Sequence, residues 1–160
     1  TANALIGDIG LANVQNVQQF LEATDGYSIY TGRKGSPDPD FPLEPGVGYF
    51  IKMSAPVDYI AVGSHDPSLS VSLEAAGAGS ASGTNFFALP YHTTATTAND
   101  LILDIGLANV QNVQQFLEAT DGFAIYTGRK GSPDPDFNLV PGEAYFVKMS
   151  TTVSYTPSHF

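Results

Sequence analysis

Two aspartates separated by one proline, Asp38 and Asp40, follow Arg33 and Lys34 in a short polar run, and the run Arg33 to Phe41 recurs unchanged as Arg129 to Phe137. Carboxylates at this spacing could serve a hard cation such as Ca²⁺, which gathers about six to eight oxygens. The intervening proline, the lack of a third nearby acid and the adjacent cationic side chains argue against such a cage, and no metal site is expected. Two readings stay open. In one, the run is a rigid loop whose aspartates pair with Arg33 or Lys34. In the other, Arg33, Asp38 and Asp40, together with Arg129, Asp134 and Asp136, form two equal binding loops for a sugar or a peptide, and bivalence would raise avidity without new contacts.

Asp8 and Asp104, Glu22 and Glu118, and Asp25 and Asp121 also recur as pairs. Glycoside hydrolysis needs two carboxyl groups held about 5 to 9 Å apart, and nothing in the spacing brings any two together. Asp25 and Asp121 each precede a glycine, as turn residues do. Asp104 reads as a helix-end or surface acid. His65, His92 and His159 are not equivalent positions of the repeat, and neither H-x-x-x-H nor HExxH spacing occurs, so zinc is not expected. There is no G-x-S-x-G elbow and no glycine-rich phosphate loop before a helix. The chain is expected to be non-catalytic and to need no cofactor. Tyr27, Tyr30, Phe41, Tyr49 and Phe50 could stack on a sugar, yet such platforms favour Trp and the chain has none. Core or interface packing is the preferred role for these rings.

Formal net charge is −10 with only six Lys and Arg, and those six are Arg33, Lys34, Lys52 and their counterparts Arg129, Lys130 and Lys148. Phosphate binding needs clustered basic residues, so nucleic acid is not an expected partner. The absence of cysteine excludes disulfides, thiolate metal sites and a cysteine nucleophile. No stretch approaches the roughly 18 apolar residues of a membrane-spanning helix. No signal peptide is visible in the sequence; Thr1 falls inside a repeat unit, so the start reads as a processing or fragment boundary from which an upstream leader has been lost.

The elements that must position these groups are themselves duplicated. Thr1 to Tyr59 reads almost word for word as Thr97 to Tyr155, with Leu11 to Gly26 and Ile29 to Phe41 recurring without a change. This is the signature of one module used twice. Thr97 predicts an N-cap, Asp100 a side chain that reaches back to it, and Gly106 the stop of a helix of about two turns. The first copy has Ala4 and Gly7 where the second has Asp100 and Leu103, so its helix should be weaker. Leu107, Val110, Val113 and Leu117 have helical spacing, but Asp121-Gly122 followed by Phe123 to Thr127 favours a hairpin. A second helix through Leu107 to Phe116 is the competing reading. Tyr49 to Met53 and Tyr145 to Met149 read as strands, Val153 to Tyr155 as a last short one, and Leu69 to Leu73 as a half-buried one. Asn85 to Tyr91 reads as a buried strand closed by Pro90. The expected fold is mainly β to α+β, two tandem copies with about five strands and one short helix each. Residues 1–75 form the first copy, 76–84 a flexible Gly/Ala/Ser-rich linker, and 85–160 the second copy.

Asn85-Phe86-Phe87-Ala88-Leu89-Pro90 resembles the N-L-I-S-L-P opening of a module common in extracellular bacterial and archaeal multidomain proteins. That family's closing P-G-E-G-Y-W/F-V is matched by Pro141-Gly142-Glu143-Ala144-Tyr145-Phe146-Val147 and by Pro45-Gly46-Val47-Gly48-Tyr49-Phe50-Ile51. The resemblance covers the second copy and all of the first except an opening strand. It implies a non-catalytic attachment in secreted or surface-anchored proteins, and carries no catalytic residue.

The first copy has no twin of Asn85 to Tyr91, so its sheet is expected to keep an open edge. Phe86, Phe87, Leu89 and Tyr91 are the interface candidates, whether that strand serves its own copy, the first copy or another chain. The expected role is an extracellular structural or assembly module that packs on protein, either itself or a larger assembly. The alternative is a carbohydrate or surface-ligand binder working through the repeated loops.

Overall fold

Helix formation begins at two Thr-Ala-Asn segments. The computed structural model describes residues 1–61, 66–132 and 134–159, and in it α1 (Ala2–Ile9) and α2 (Ala98–Ile105) each run for 8 residues. Thr1 and Thr97 cap them, each accepting the amide three residues on. Only α2 closes a full capping box, with the Asp100 carboxylate taking the Thr97 amide. The Thr96 hydroxyl and amide, and after them those of Thr97, hold the Asp100 carboxyl below the usual carboxylate range against the opposing effect of desolvation. A depressed folded pKa stabilises above the ordinary value of about 3.9 and is lost as pH falls through the window beneath it. Loss of the capping box in Asp100→Ala should cost about 0.5 kcal/mol at pH 7, the exposed carboxylate being screened by solvent, a difference that shrinks in urea titrations repeated below about pH 4.

After each helix the chain turns at a glycine into a long strand, β1 (Val14–Leu21) or β6 (Val110–Leu117), followed by β2 (Gly26–Tyr30) or β7 (Gly122–Tyr126). The hairpin reading holds, and no second helix forms. The helical spacing has a structural origin: a register shift between Val14 and Asn16, and between Val110 and Asn112, marks a β-bulge. The extra residue puts Val14 with Val17, and Val110 with Val113, on one buried face although they lie three apart. The turn differs in detail from a two-residue Asp-Gly hairpin. Leu117 pairs with Gly122, the connection runs from Glu118 to Asp121, and Asp121 takes a positive φ of 50°. Asp25 does the same at 52°, since a short polar side chain tolerates the left-handed region.

Strand β3 (Tyr49–Met53) pairs with β1, giving a sheet of order β2-β1-β3. Strand β8 (Ala144–Met149) pairs with β6 in the same way and carries one strand more, β5 (Thr84–Ala88), giving β5-β8-β6-β7. A third, two-stranded sheet joins β4 (Val71–Leu73) to β9 (Val153–Tyr155). Leu73, counted with the first copy in the sequence, thus enters the core around α2, β5, β6 and β8. Residues 57–59, equivalent to β9, form no strand. The Gly/Ala/Ser-rich segment between β4 and β5 is a bonded loop rather than a slack tether. Gly77 donates to Ser80, Met149 donates to Gly83, and Ser80 is buried with its hydroxyl bonded to Thr84 O.

Each helix covers one face of its sheet, α1 over Val14 and Val17 and α2 over Val110 and Val113. The opposite faces meet through aromatic rings. Phe20 lies 5.3 Å from Phe146, and their repeat equivalents exchange roles, with Phe50 lying 5.5 Å from Phe116. Phe50 and Phe146, themselves equivalent, are 6.0 Å apart. A contact in which residue i meets j and j meets i is isologous, so this junction has the quasi-two-fold form of a symmetric dimer interface. Backbone bonds reinforce it, with Gly48 N donating to Phe86 O at 2.7 Å and Ala88 N to Gly46 O at 3.0 Å.

Candidate functional site

The repeated polar loop is built to satisfy backbone donors. Asp38 Oδ2 accepts the Ile29 amide at 2.6 Å, and Asp134 Oδ2 accepts the Ile125 amide at 2.8 Å. Ser36 and Ser132 accept the amides of Thr31 and Thr127. Asp40 and Asp136 take the amides of Asn3 and Asn99 in the first turns of the helices, where negative charge is favoured. The aspartates therefore engage amides, where the sequence suggested the guanidinium of Arg33 or the amine of Lys34. Arg33 and Arg129 are exposed on the same loops. Among the described residues no three of His, Asp and Glu gather as a metal site.

The interface candidates divide. Phe86, Phe87 and Leu89 are buried inside the chain, Phe87 and Leu89 in the core of α2 and Phe86 in the aromatic junction, stacked 4.4 Å from Phe146. Strand β5 is engaged on both edges, by β8 and by an isolated bridge from Val47 to Phe87. These three side chains thus serve intramolecular packing, because the chain supplies both neighbours of the strand. Tyr91 stands apart, 67% exposed beside Gly142.

The open feature lies on β3. Among the described residues, β1 is its only strand partner, whereas β8 has β5 on its other edge. Near-identical residues consequently sit in different environments. Ile51 is 38% exposed and its counterpart Val147 is 0% exposed; Tyr59 is 40% exposed and Tyr155 is 4%. Val57 and Ile60 are exposed as well. Asp8 accepts the Tyr59 hydroxyl in the open, while Asp104 accepts those of Tyr155 and Ser158. Burial alone would raise the Asp104 carboxyl, but the Ser158 and Tyr155 bonds hold it below the usual range, and burial with Asp104 beside it pushes Tyr155 strongly up.

A groove of about 470 Å³ runs along the junction, bounded by Phe20, Glu22, Val47, Val71 and Phe86. Glu22 and Glu44 both line it, and Glu22 is the one that burial perturbs. Burial first, and the Glu74 carboxylate second, raise its pKa, opposed by the Phe86 amide. A raised carboxyl costs stability as pH climbs from the ordinary value of about 4.3 through the folded value. Glu22→Gln should therefore melt higher than the parent at pH 7 and no higher at pH 4, and calorimetry with the exposed equivalent Glu118→Gln as reference reads this directly.

The aromatic platform weighed for sugars is split between the two faces of its sheet. Tyr30, Phe41 and Tyr49 pack with α1, while Tyr27 and Phe50 join the junction. Asp25 sits in a turn and bonds Ser82, and Glu22 lines the groove. His65 lies outside the described residues. The junction gave a sequence signal, Gly48 standing where the second repeat has Ala144. No protein-family model, curated protein or solved structure matches this chain.

Proposed function

We propose that the chain is a tandem of two copies of one small module, acting as a non-catalytic structural element of an extracellular assembly and packing on protein through the open edge of β3. The observation that carries this is the contrast between β3 and β8, where nearly the same sequence is covered by a strand in one copy and lacks that cover in the other. An uncovered ladder edge flanked by apolar side chains is a site for strand addition. The second copy begins with β4 on this reading, and the quasi-two-fold aromatic junction keeps the two copies as a fixed pair. The extracellular location rests on the resemblance of the Asn85 to Pro90 and Pro45 to Ile51 segments to modules of secreted proteins. The engaged aspartates of the repeated loops weigh against a carbohydrate role for them.

Light scattering over a wide concentration range tests the reading. Mass should rise above the 16.9 kDa of one chain as concentration increases, and Ile51→Lys should abolish the rise. A concentration-independent monomer with a folded N-terminal half would contradict assembly through this edge.

A further inference from the structure

The groove along the junction joins apolar walls to acidic groups. Its volume of about 470 Å³ lies within the range of about 300 to 1,000 Å³ typical of ligand pockets. Phe20, Val47, Val71 and Phe86 supply the walls, and Glu22 and Glu44 supply carboxylates. Among the described residues no Lys, Arg or His lines it. The acidic character belongs to this one place in the repeat. Glu44 stands where the second copy has Val140, and Glu118, the counterpart of Glu22, is exposed. Burial and the Glu74 carboxylate, which follows β4, together hold the Glu22 carboxyl up, so a cation placed here relieves a charge conflict already present. The walls are packed by the chain itself. Val71 lies against Gly46 as Tyr91 lies against Gly142, and β5 bonds Gly46 O and Gly48 N.

We infer that this groove binds a basic segment of a partner protein, the stem of one Lys or Arg lying on Phe20 and Phe86 and its charged head against Glu22 and Glu44. Lys and Arg lay an aliphatic stem along apolar surface while the head stays with polar groups, and the face of an aromatic ring attracts the cation. Phenylalanine walls beside two carboxylates match both ends of such a side chain. The net charge of −10 steers a cationic partner toward the molecule. The same charge makes a second copy of this chain a poor occupant, because two such chains repel. None of Tyr49 to Met53 lines the groove, so the inference goes beyond the β3 edge and does not depend on it.

The blocked peptide Gly-Leu-Lys-Leu-Gly, titrated into the full isotope-labelled chain at about 0.05 M salt, where surface charges are only partly screened, tests it. The expected result is saturable one-to-one binding with amide shifts confined to 19–23, 44–47 and 70–73. Replacing the lysine by norleucine, or the chain by the double variant Glu22→Gln with Glu44→Gln, should weaken binding about tenfold. Glu118→Gln and Ile51→Lys should bind as the parent does. Absence of binding at millimolar peptide would overturn the inference, as would shifts spread over the acidic surface or equal binding by the double variant, which would mean attraction to net charge alone. Loss of binding in Ile51→Lys would place the peptide on β3 and overturn the groove as its site. Butylamine binding as tightly as the peptide would make the occupant a small amine and overturn the partner chain.

Discussion

Asn85→Ala is expected to cost about 3 to 4 kcal/mol of unfolding free energy. Asn85 is 1% exposed, and its amide group bonds both backbone groups of Glu74 as well as Gly83 O and Val147 O. Alanine leaves the part-buried Glu74 amide and carbonyl without that partner and takes a bond from Gly83 O, which keeps the Met149 amide, and from Val147 O; each orphaned buried group costs about 1 to 3 kcal/mol. The loss should be local before it is global. Among the described residues β9 is the only strand paired with β4, and this asparagine helps hold it beside β5, so exchange in residues 71–73 and 153–155 should rise before that in β6. Asn85→Asp should be at least as damaging, because a carboxylate cannot donate to the carbonyls and burying its charge adds a further cost. Equilibrium unfolding in urea measures both.

Gly48→Ala should cost about 1 to 3 kcal/mol, although the second copy carries alanine at the equivalent Ala144. A Cβ on Gly48 would lie 2.6 Å from the Phe86 ring and 2.7 Å from Ala144 Cβ, closer than packed atoms allow, and overpacking of this kind forces shifts of backbone and rotamer. The two equivalent residues face each other across the quasi-two-fold junction, and there is room for only one methyl group between them. Ala144→Gly should be mild, at about 1 kcal/mol or less. The double variant Gly48→Ala with Ala144→Gly should recover much of the single loss, a coupling that urea unfolding of all three variants would report. Equal stability of parent and Gly48→Ala would mean that the segment 46–48 does not lie tightly on β5.

Much of this architecture could be read from the residues. The capped helices follow from Thr-Ala-Asn and a closing glycine, and the hairpins from Asp-Gly between runs of β-branched and aromatic residues. The bulge hid the strand β6 behind helical spacing, because one inserted residue changes a period of two into a step of three. The pairing of β4 with β9 was not legible, since nothing local to Val71–Leu73 indicates a partner near the other end of the chain. The aromatic junction escaped for a different reason: Phe20 and Phe50 are identical in both copies, so the sequence cannot say which copy's ring each one meets. The distinction was carried by Gly48 against Ala144. The repeated loop shows the converse. Its polar residues looked like a ligand site, but free backbone amides at a strand and at a helix start are also ligands for a carboxylate. The contrast between Ile51 and Tyr59, exposed, and Val147 and Tyr155, buried, was not legible in segments of nearly the same sequence, because it depends on which strands lie beside them.

Residue-resolved amide exchange on the dilute full chain tests the open edge most directly. Met149 N donates to Gly83 O, and by the alternation of an antiparallel ladder the amides of Tyr145 and Val147 also face β5. Their twins are Tyr49, Ile51 and Met53, in a segment of nearly the same sequence, so intrinsic exchange rates are closely matched. The expected result is exchange about a hundredfold faster at Tyr49, Ile51 and Met53 than at Tyr145, Val147 and Met149, with the inward amides of Phe50 and Lys52 still protected by β1. Equal protection of the two outward sets would mean that β3 is already covered, and would contradict an edge open to a partner strand.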